Sequence, residues 1–212
     1  MNGSYQHDEN IYEIGVDEAG RGPLFGRVYA AAVCLPKDDS FDISMVKDSK
    51  KYTSKKKLME AYDYVINNAL FYSVAYRDEK AIDKINILQA TQECMHESIN
   101  NIINKNKELN YLLLIDGNYF IPITYIDDDS IEVYNHVCVK GGDNIYASIA
   151  AASILAKVER DKYIDELCEN DPDLDAKYGI ASNKGYGTKK HIEGIKEHGI
   201  TCHHRLSYKT CR

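Results

Sequence analysis

Gly15-Val16-Asp17-Glu18-Ala19-Gly20-Arg21-Gly22-Pro23-Leu24-Phe25-Gly26 is the stretch whose reading decides this chain. An apolar run enters it from Ile11, and a second leaves through Val28 to Leu35. Two carboxylates end the first run. Adjacent strand residues point to opposite faces, so Asp17 and Glu18 can serve one ion only if the chain bends there. The glycines at 20, 22 and 26 permit a bend and let a ligand approach bare backbone N–H groups. Arg21 adds a fork of donors suited to phosphate. Alone, the acid pair reads more readily as a polar hairpin loop than as a site. With the Gly-Arg-Gly turn beside it, the stretch predicts carboxylates for a hard metal and a cradle for a phosphate chain.

Working outward, the 212 residues suit a single domain, 1–212, with residues 1–10 as a loose terminus. Hydrophobic residues make up 44% and charged residues 28%, the balance of a globular protein with a core. No apolar run reaches the ~20 residues of a membrane span, and no signal-peptide core is present. The six cysteines, at 34, 94, 138, 168, 202 and 211, form no Cys-x-x-Cys pair and read as reduced intracellular thiols. Net charge is −7, yet residues 47–57 hold six lysines against Asp48 alone. Residues 184–212 hold five lysines, two arginines and four histidines against Glu193 and Glu197. Such patches either steer a polyanion or are solvated faces.

Ile11–Asp17 and Val28–Leu35 read as strands, the second apolar on both faces and therefore central. Thr53 or Ser54 caps a helix running to about Asn68, and Leu70–Tyr76 alternates as a third strand. Leu88, Thr91, Met95, Ser98 and Ile102 form the stripe of a helix starting near Asp83 or Asn86. Tyr111–Ile115 is a buried strand that delivers Asp116 at its C-terminal end, where ligands sit in open α/β sheets. Residues 119–130 read as irregular, with an exposed turn at Asp127-Asp128-Asp129. Val133–Val139 is a further strand. Asn144 to Cys168 is the longest helix, packed with small residues, and Asp143 at its start reads as a cap or a site acid. Asp171-Pro172 ends it. Lys184-Gly185-Tyr186-Gly187-Thr188 is a basic aromatic turn before a last helix to His198. Cys202, His203, His204 and Cys211 match no zinc spacing. The order β-β-α-β-α-β-β-α-α predicts an α/β fold, a mixed sheet flanked by helices.

Five separated segments resemble the type 2 ribonucleases H (ribonuclease HII). They are Val16–Pro23, Asp48–Lys51, Leu114–Asn118, Ala151–Lys157 with Arg160-Asp161, and Lys184–Tyr186 with His203–Arg205. Asn86–Leu88 with Ala90-Thr91 belongs to the same pattern. The resemblance runs from about residue 14 to 207 in the family's order. It implies a ribonuclease H-like fold with a mixed five-stranded sheet. It implies that Asp17, Glu18, Asp116 and Asp143 bind Mg²⁺ or Mn²⁺, two ions in the substrate complex. It implies that Gly20, Arg21 and Gly22 read the ribose 2′-OH and its phosphates, and that Tyr186 stacks on the following sugar. Lys50, Ser153 and Lys157 match phosphate-side positions. The implied enzyme is a metal-dependent endoribonuclease of the cell interior, a monomer acting in DNA replication and repair. Its partners are RNA–DNA hybrids and duplex DNA with embedded ribonucleotides.

Two departures stand out. The family usually has one glycine before the fourth acid, where this chain reads Lys140-Gly141-Gly142-Asp143, so the acid is open to displacement. Arg27 stands where proline is common. Arg21 itself favours type 2 over type 3 enzymes, which usually lack it. The sequence stops soon after Arg205, so grip on substrate is expected to rest on the basic patches. Oxygen donors suit Mg²⁺, and two ions ~3.5–4 Å apart serve phosphodiester hydrolysis. Two other readings keep these residues: a different metal-dependent phosphoryl enzyme, and a nucleic-acid-binding module without activity.

Overall fold

The computed structural model describes residues 1–127 and 130–212. The last two residues of the turn expected at Asp127-Asp128-Asp129 lie outside that range. Strand β1 (Ile11–Ala19) is central. It pairs antiparallel with β2 (Val28–Cys34), which pairs antiparallel with β3 (Phe71–Arg77). Helices α1 (Lys55–Asn68) and α2 (Glu79–Ile103) precede β4 (Asn110–Asp116), which pairs parallel with β1. A hairpin follows, β5 (Thr124–Asp127) and β6 (Ser130–Val133), and then β7 (His136–Val139), parallel to β4. The five-stranded sheet has the order β3-β2-β1-β4-β7, the mixed sheet the sequence predicts.

One face of this sheet carries α3 (Ala147–Asn170), the other α2. Every residue of β2 is buried, as expected of a strand covered on both sides. The small residues of α3 let it lie directly on β1. A Cβ at Gly15 would collide with the Ser148–Ile149 backbone, so helix and strand meet with no side chain between them. The chain then adds α4 (Asp173–Tyr178), α5 (Ile180–Asn183) and α6 (Lys189–His198), the last capped by Thr188.

Four expectations need correction. Helix α2 begins at Glu79, capped by Asp78, rather than near Asp83 or Asn86. Asn86 instead breaks it, with φ 67°, and its side chain accepts from the N–H groups of Leu88 and Gln89 as a second cap. Thr124–Asp127 and Ser130–Val133 pair antiparallel where irregular chain was expected, and the single strand foreseen over Val133–Val139 is two. The hairpin's exposed isoleucines carry no burial pattern that a sequence could reveal. The short helices α4 and α5, left uninterpreted after Pro172, lie below the length at which periodicity speaks. Residues 1–10 are tied down: Asn2 exchanges hydrogen bonds with Ile145 and Ala147, and Glu13 accepts from the N–H groups of Tyr5 and Gln6.

Candidate active site

The bend foreseen between Asp17 and Glu18 comes later. Strand β1 keeps its ladder through Ala19, with Asp17 opposite Ala31 and Glu18 opposite Ala30. The chain turns at Gly20, at φ +94°. The two acids therefore leave the end of the strand on opposite faces. Asp17 lies buried on the α3 face within hydrogen-bonding reach of Ser153, and its carboxylate accepts from the Glu18 N–H at 2.7 Å. Glu18 faces a cavity of 250 Å³ on the α2 face, shared with Arg21, Gln92 and Asp116, and pairs with Arg21 at 3.3 Å.

Asp116 ends β4 next to them. Its Oδ1 accepts from the Gly142 N–H at 2.7 Å, which draws the third and fourth acids together. Gly142 thus gives the doubled glycine a task, while Gly141 takes the left-handed turn that opens the 3-10 segment Gly142–Asn144. Asp143 sits buried in that segment, within 3.9 Å of the Lys50 ammonium and hydrogen-bonded by Asn144 at 2.8 Å. Lys50 is close enough to Asp143, Asp17, Asp48 and Asp116 to feel all four charges.

These acids strain against one another. Burial, then the charges of Glu18 and Asp116, push Asp17 well above the usual carboxylate range. Burial raises Glu18 against the pull of Arg21, and Asp116 adds to the rise. Burial and the charges of Asp48 and Asp116 raise Asp143, with Lys50 opposing. A divalent cation relieves all of these interactions at once. Among the described residues, no three acidic, histidine or cysteine side chains are gathered tightly enough to hold an ion by themselves. The donor set still fits a hard cation such as Mg²⁺ or Mn²⁺, which takes oxygen ligands and keeps open positions for water and phosphate.

Tyr186 stands half-exposed across from the Gly-Arg-Gly turn, 3.4 Å from where a Cβ on Gly22 would be. Ser153 shares a 2.9 Å hydrogen bond with Ser49. Lys157 lies one helical turn beyond Ser153 but closes on Asp161 at 2.6 Å, and no contact brings it to the acids. Sequence reasoning missed the structural part of Asp48. It is buried, accepts from the Lys50 N–H at 2.9 Å and adds a fifth negative charge beside Asp143. Its place at the head of Asp48-Ser49-Lys50-Lys51 was the available signal. Arg160, His191, His204 and Arg205 were also given no role, though three of them lie in motifs quoted above.

The family model described as Ribonuclease HII matches residues 14–211. This chain belongs to the ribonuclease HII family. A relative named Ribonuclease HII from Cytophaga hutchinsonii is 43% identical over 202 residues, 95% of this chain and 91% of the relative. One of the same name from Bacteroides thetaiotaomicron is 41% identical over 201 residues, again 95% and 91%. Among solved structures, the ribonuclease H2 of Pyrococcus horikoshii superposes with a TM-score of 0.70 at 22% identity, covering 95% of this chain and 96% of that one. A Bst ribonuclease HIII in complex with Mn²⁺ gives 0.69 at 18% identity, covering 95% and 68%. Those two likenesses establish the ribonuclease H-like fold. Membership of the ribonuclease HII family makes the protein a nuclease of the ribonuclease H type, a hydrolase acting on nucleic acid, in a family generally dependent on divalent metal. No helix among the described residues is long and apolar enough to cross a membrane.

Proposed function

We propose that this ribonuclease HII cuts the RNA strand of RNA–DNA hybrids and incises duplex DNA on the 5′ side of an embedded ribonucleotide. The products carry a 3′-OH and a 5′-phosphate. One observation supports this above the rest. Four mutually repelling carboxylates, Asp17, Glu18, Asp116 and Asp143, stand beside a glycine turn faced by one exposed tyrosine. Two divalent ions, Mg²⁺ or Mn²⁺, would activate water and neutralise the leaving 3′ oxygen when bound there.

The chain's own part is positioning and charge. Asp17, Glu18, Asp116 and Asp143 hold the cationic centre at the sheet end. Lys50, on the Asp143 side, takes a phosphate oxygen. The Gly20-Arg21-Gly22 backbone reads the 2′-OH, the group that separates RNA from DNA. A site built to bond that hydroxyl rejects the analogue lacking it by about 10⁴ or more. Tyr186 stacks on the sugar that follows. Ser153 keeps Asp17 in place, and Lys157, released from Asp161, reaches a more distant phosphate. The protein works as a single catalytic domain and as a monomer.

The test is cleavage of a labelled DNA duplex carrying one ribonucleotide, beside an all-DNA control, with Mg²⁺, with Mn²⁺ and with EDTA. The expected result is one metal-dependent cut 5′ to the ribonucleotide and none in the control. Cutting only within runs of ribonucleotides would narrow the activity to hybrids. No cutting with either metal by a folded protein would overturn the proposal.

A further inference from the structure

Two arginines lie buried beneath the glycine turn, and neither forms a salt bridge among the described residues. Arg205 donates to the carbonyls of Gly20 at 2.7 Å, Arg21 at 3.1 Å, Pro23 at 2.8 Å and Gly26 at 2.8 Å. Its own N–H donates to the Leu24 carbonyl at 2.9 Å. Arg160 donates to the carbonyls of Phe25 and Arg27, each at 3.3 Å, and to that of Lys184 at 2.8 Å. Between Gly20 and Arg27, only the Gly22 carbonyl is left out. Gly20 is glycine because Arg160 passes where its side chain would stand.

Burying a cation without a carboxylate costs several kcal/mol unless dipoles surround it. Here the dipoles are the carbonyls of the turn. Turning those carbonyls inward leaves the opposite ends of the peptide groups facing out. The N–H groups of Arg21 and Gly22, both exposed, donate to no protein group among the described residues. Two adjacent outward N–H groups over a buried positive charge are a receptor for phosphate and hydroxyl oxygen. The Arg160 bond to Lys184 also fastens the segment that carries Tyr186 to the same loop.

We propose that Arg205 and Arg160 are positioning residues for ribonucleotide recognition, holding the carbonyls of the 20–27 loop inward so that the Arg21 and Gly22 N–H groups face out. This rests on the functional reading above. Neither guanidinium reaches the substrate. Both act through the shape of the loop, and both stay charged at neutral pH: burial and Arg205 lower Arg160 only to about 10.

The test compares wild type with Arg205→Lys and Arg160→Lys, each checked for folding by thermal melt. A lysine keeps the charge but cannot bridge several carbonyls. For a folded variant, KM on the one-ribonucleotide duplex is expected to rise about tenfold to a hundredfold, with kcat within about threefold. In EDTA, the preference for that duplex over all-DNA is expected to collapse. The salt slope of binding stays as in wild type, because neither guanidinium itself touches a phosphate. In Arg205→Gln and Arg160→Gln, which remove the charge, a slope reduced by about one would mean a direct phosphate contact and would overturn the positioning role. Unchanged KM and preference in a folded variant overturn it too, while the functional reading stands. Absence of cutting by wild type takes down both. Hydrogen exchange on the wild type needs no variant. The Arg21 and Gly22 amides are expected to exchange fast in the free protein and slowly only with the ribonucleotide duplex. Slow exchange in the free protein contradicts the outward N–H groups.

Discussion

Asp17 shows how one residue is set against its surroundings. It is buried, it accepts the Glu18 N–H, and it feels the charges of Glu18 and Asp116. A carboxyl raised above its unfolded value contributes stability while protonated and loses it as pH rises through the folded value. At neutral pH the charge of Asp17 therefore opposes folding of the metal-free protein. Asp17→Asn is expected to abolish cutting while raising metal-free stability by about 1 kcal/mol, or about 2–4 °C in melting temperature. Asp116→Asn should also abolish cutting. Its side-chain oxygen can still accept from Gly142, so the fold is expected to survive. Near-normal cutting by either variant would remove these acids from the reaction. By the same reasoning, Mg²⁺ or Mn²⁺ should raise the wild-type melting temperature, and Asp17→Asn should reduce that gain.

At the scale of elements, the site depends on how closely α3 approaches β1. That approach is written in two kinds of small residue, the alanines of the helix and Gly15 of the strand. Gly15→Ala forces the two backbones apart, an overpacking change expected to cost about 2 kcal/mol. Melting should show a drop of roughly 4–8 °C, with activity falling because Asp17 moves relative to Ser153. A melt unchanged from wild type would mean that the helix can shift without loss. The elements that sequence reasoning recovered, β1 to β4, α1, the later part of α2, α3 and α6, are those with a periodic stripe, a continuous apolar run or clear end signals. Those it missed, the β5–β6 hairpin, α4, α5 and the first turns of α2, are short or expose apolar residues, so no period of burial reports them.

For the molecule as a whole, stability should follow pH through a pair of buried histidines. His204 Nε2 lies 3.0 Å from His191 Nε2; His204 accepts from the Thr201 N–H, and His191 Nδ1 meets the Tyr186 carbonyl at 3.0 Å. The chain of bonds is complete only when both rings are neutral. Burial, then His191, push His204 down to about 4, and burial lowers His191. A depressed group contributes stability that is full above its unfolded value, about 6.5, and is lost as pH falls toward the folded value. Melting temperature is therefore expected to fall from pH 6.5 to pH 4, with a shallower fall in His204→Asn; equal slopes would exclude the pair. The sequence alone determined the family and the mixed sheet, and it supplied the four acids proposed for the site, because those are carried by contiguous motifs and by burial patterns along single elements. Only the tertiary structure decided that β1 runs unbent through Asp17 and Glu18, and that Gly142 brings Asp116 and Asp143 together. It also decided that Arg160 and Arg205 hold the glycine turn from beneath. These are contacts between residues distant in the chain, up to 185 positions apart for Arg205 and Gly20, and no local pattern encodes a partner at that range.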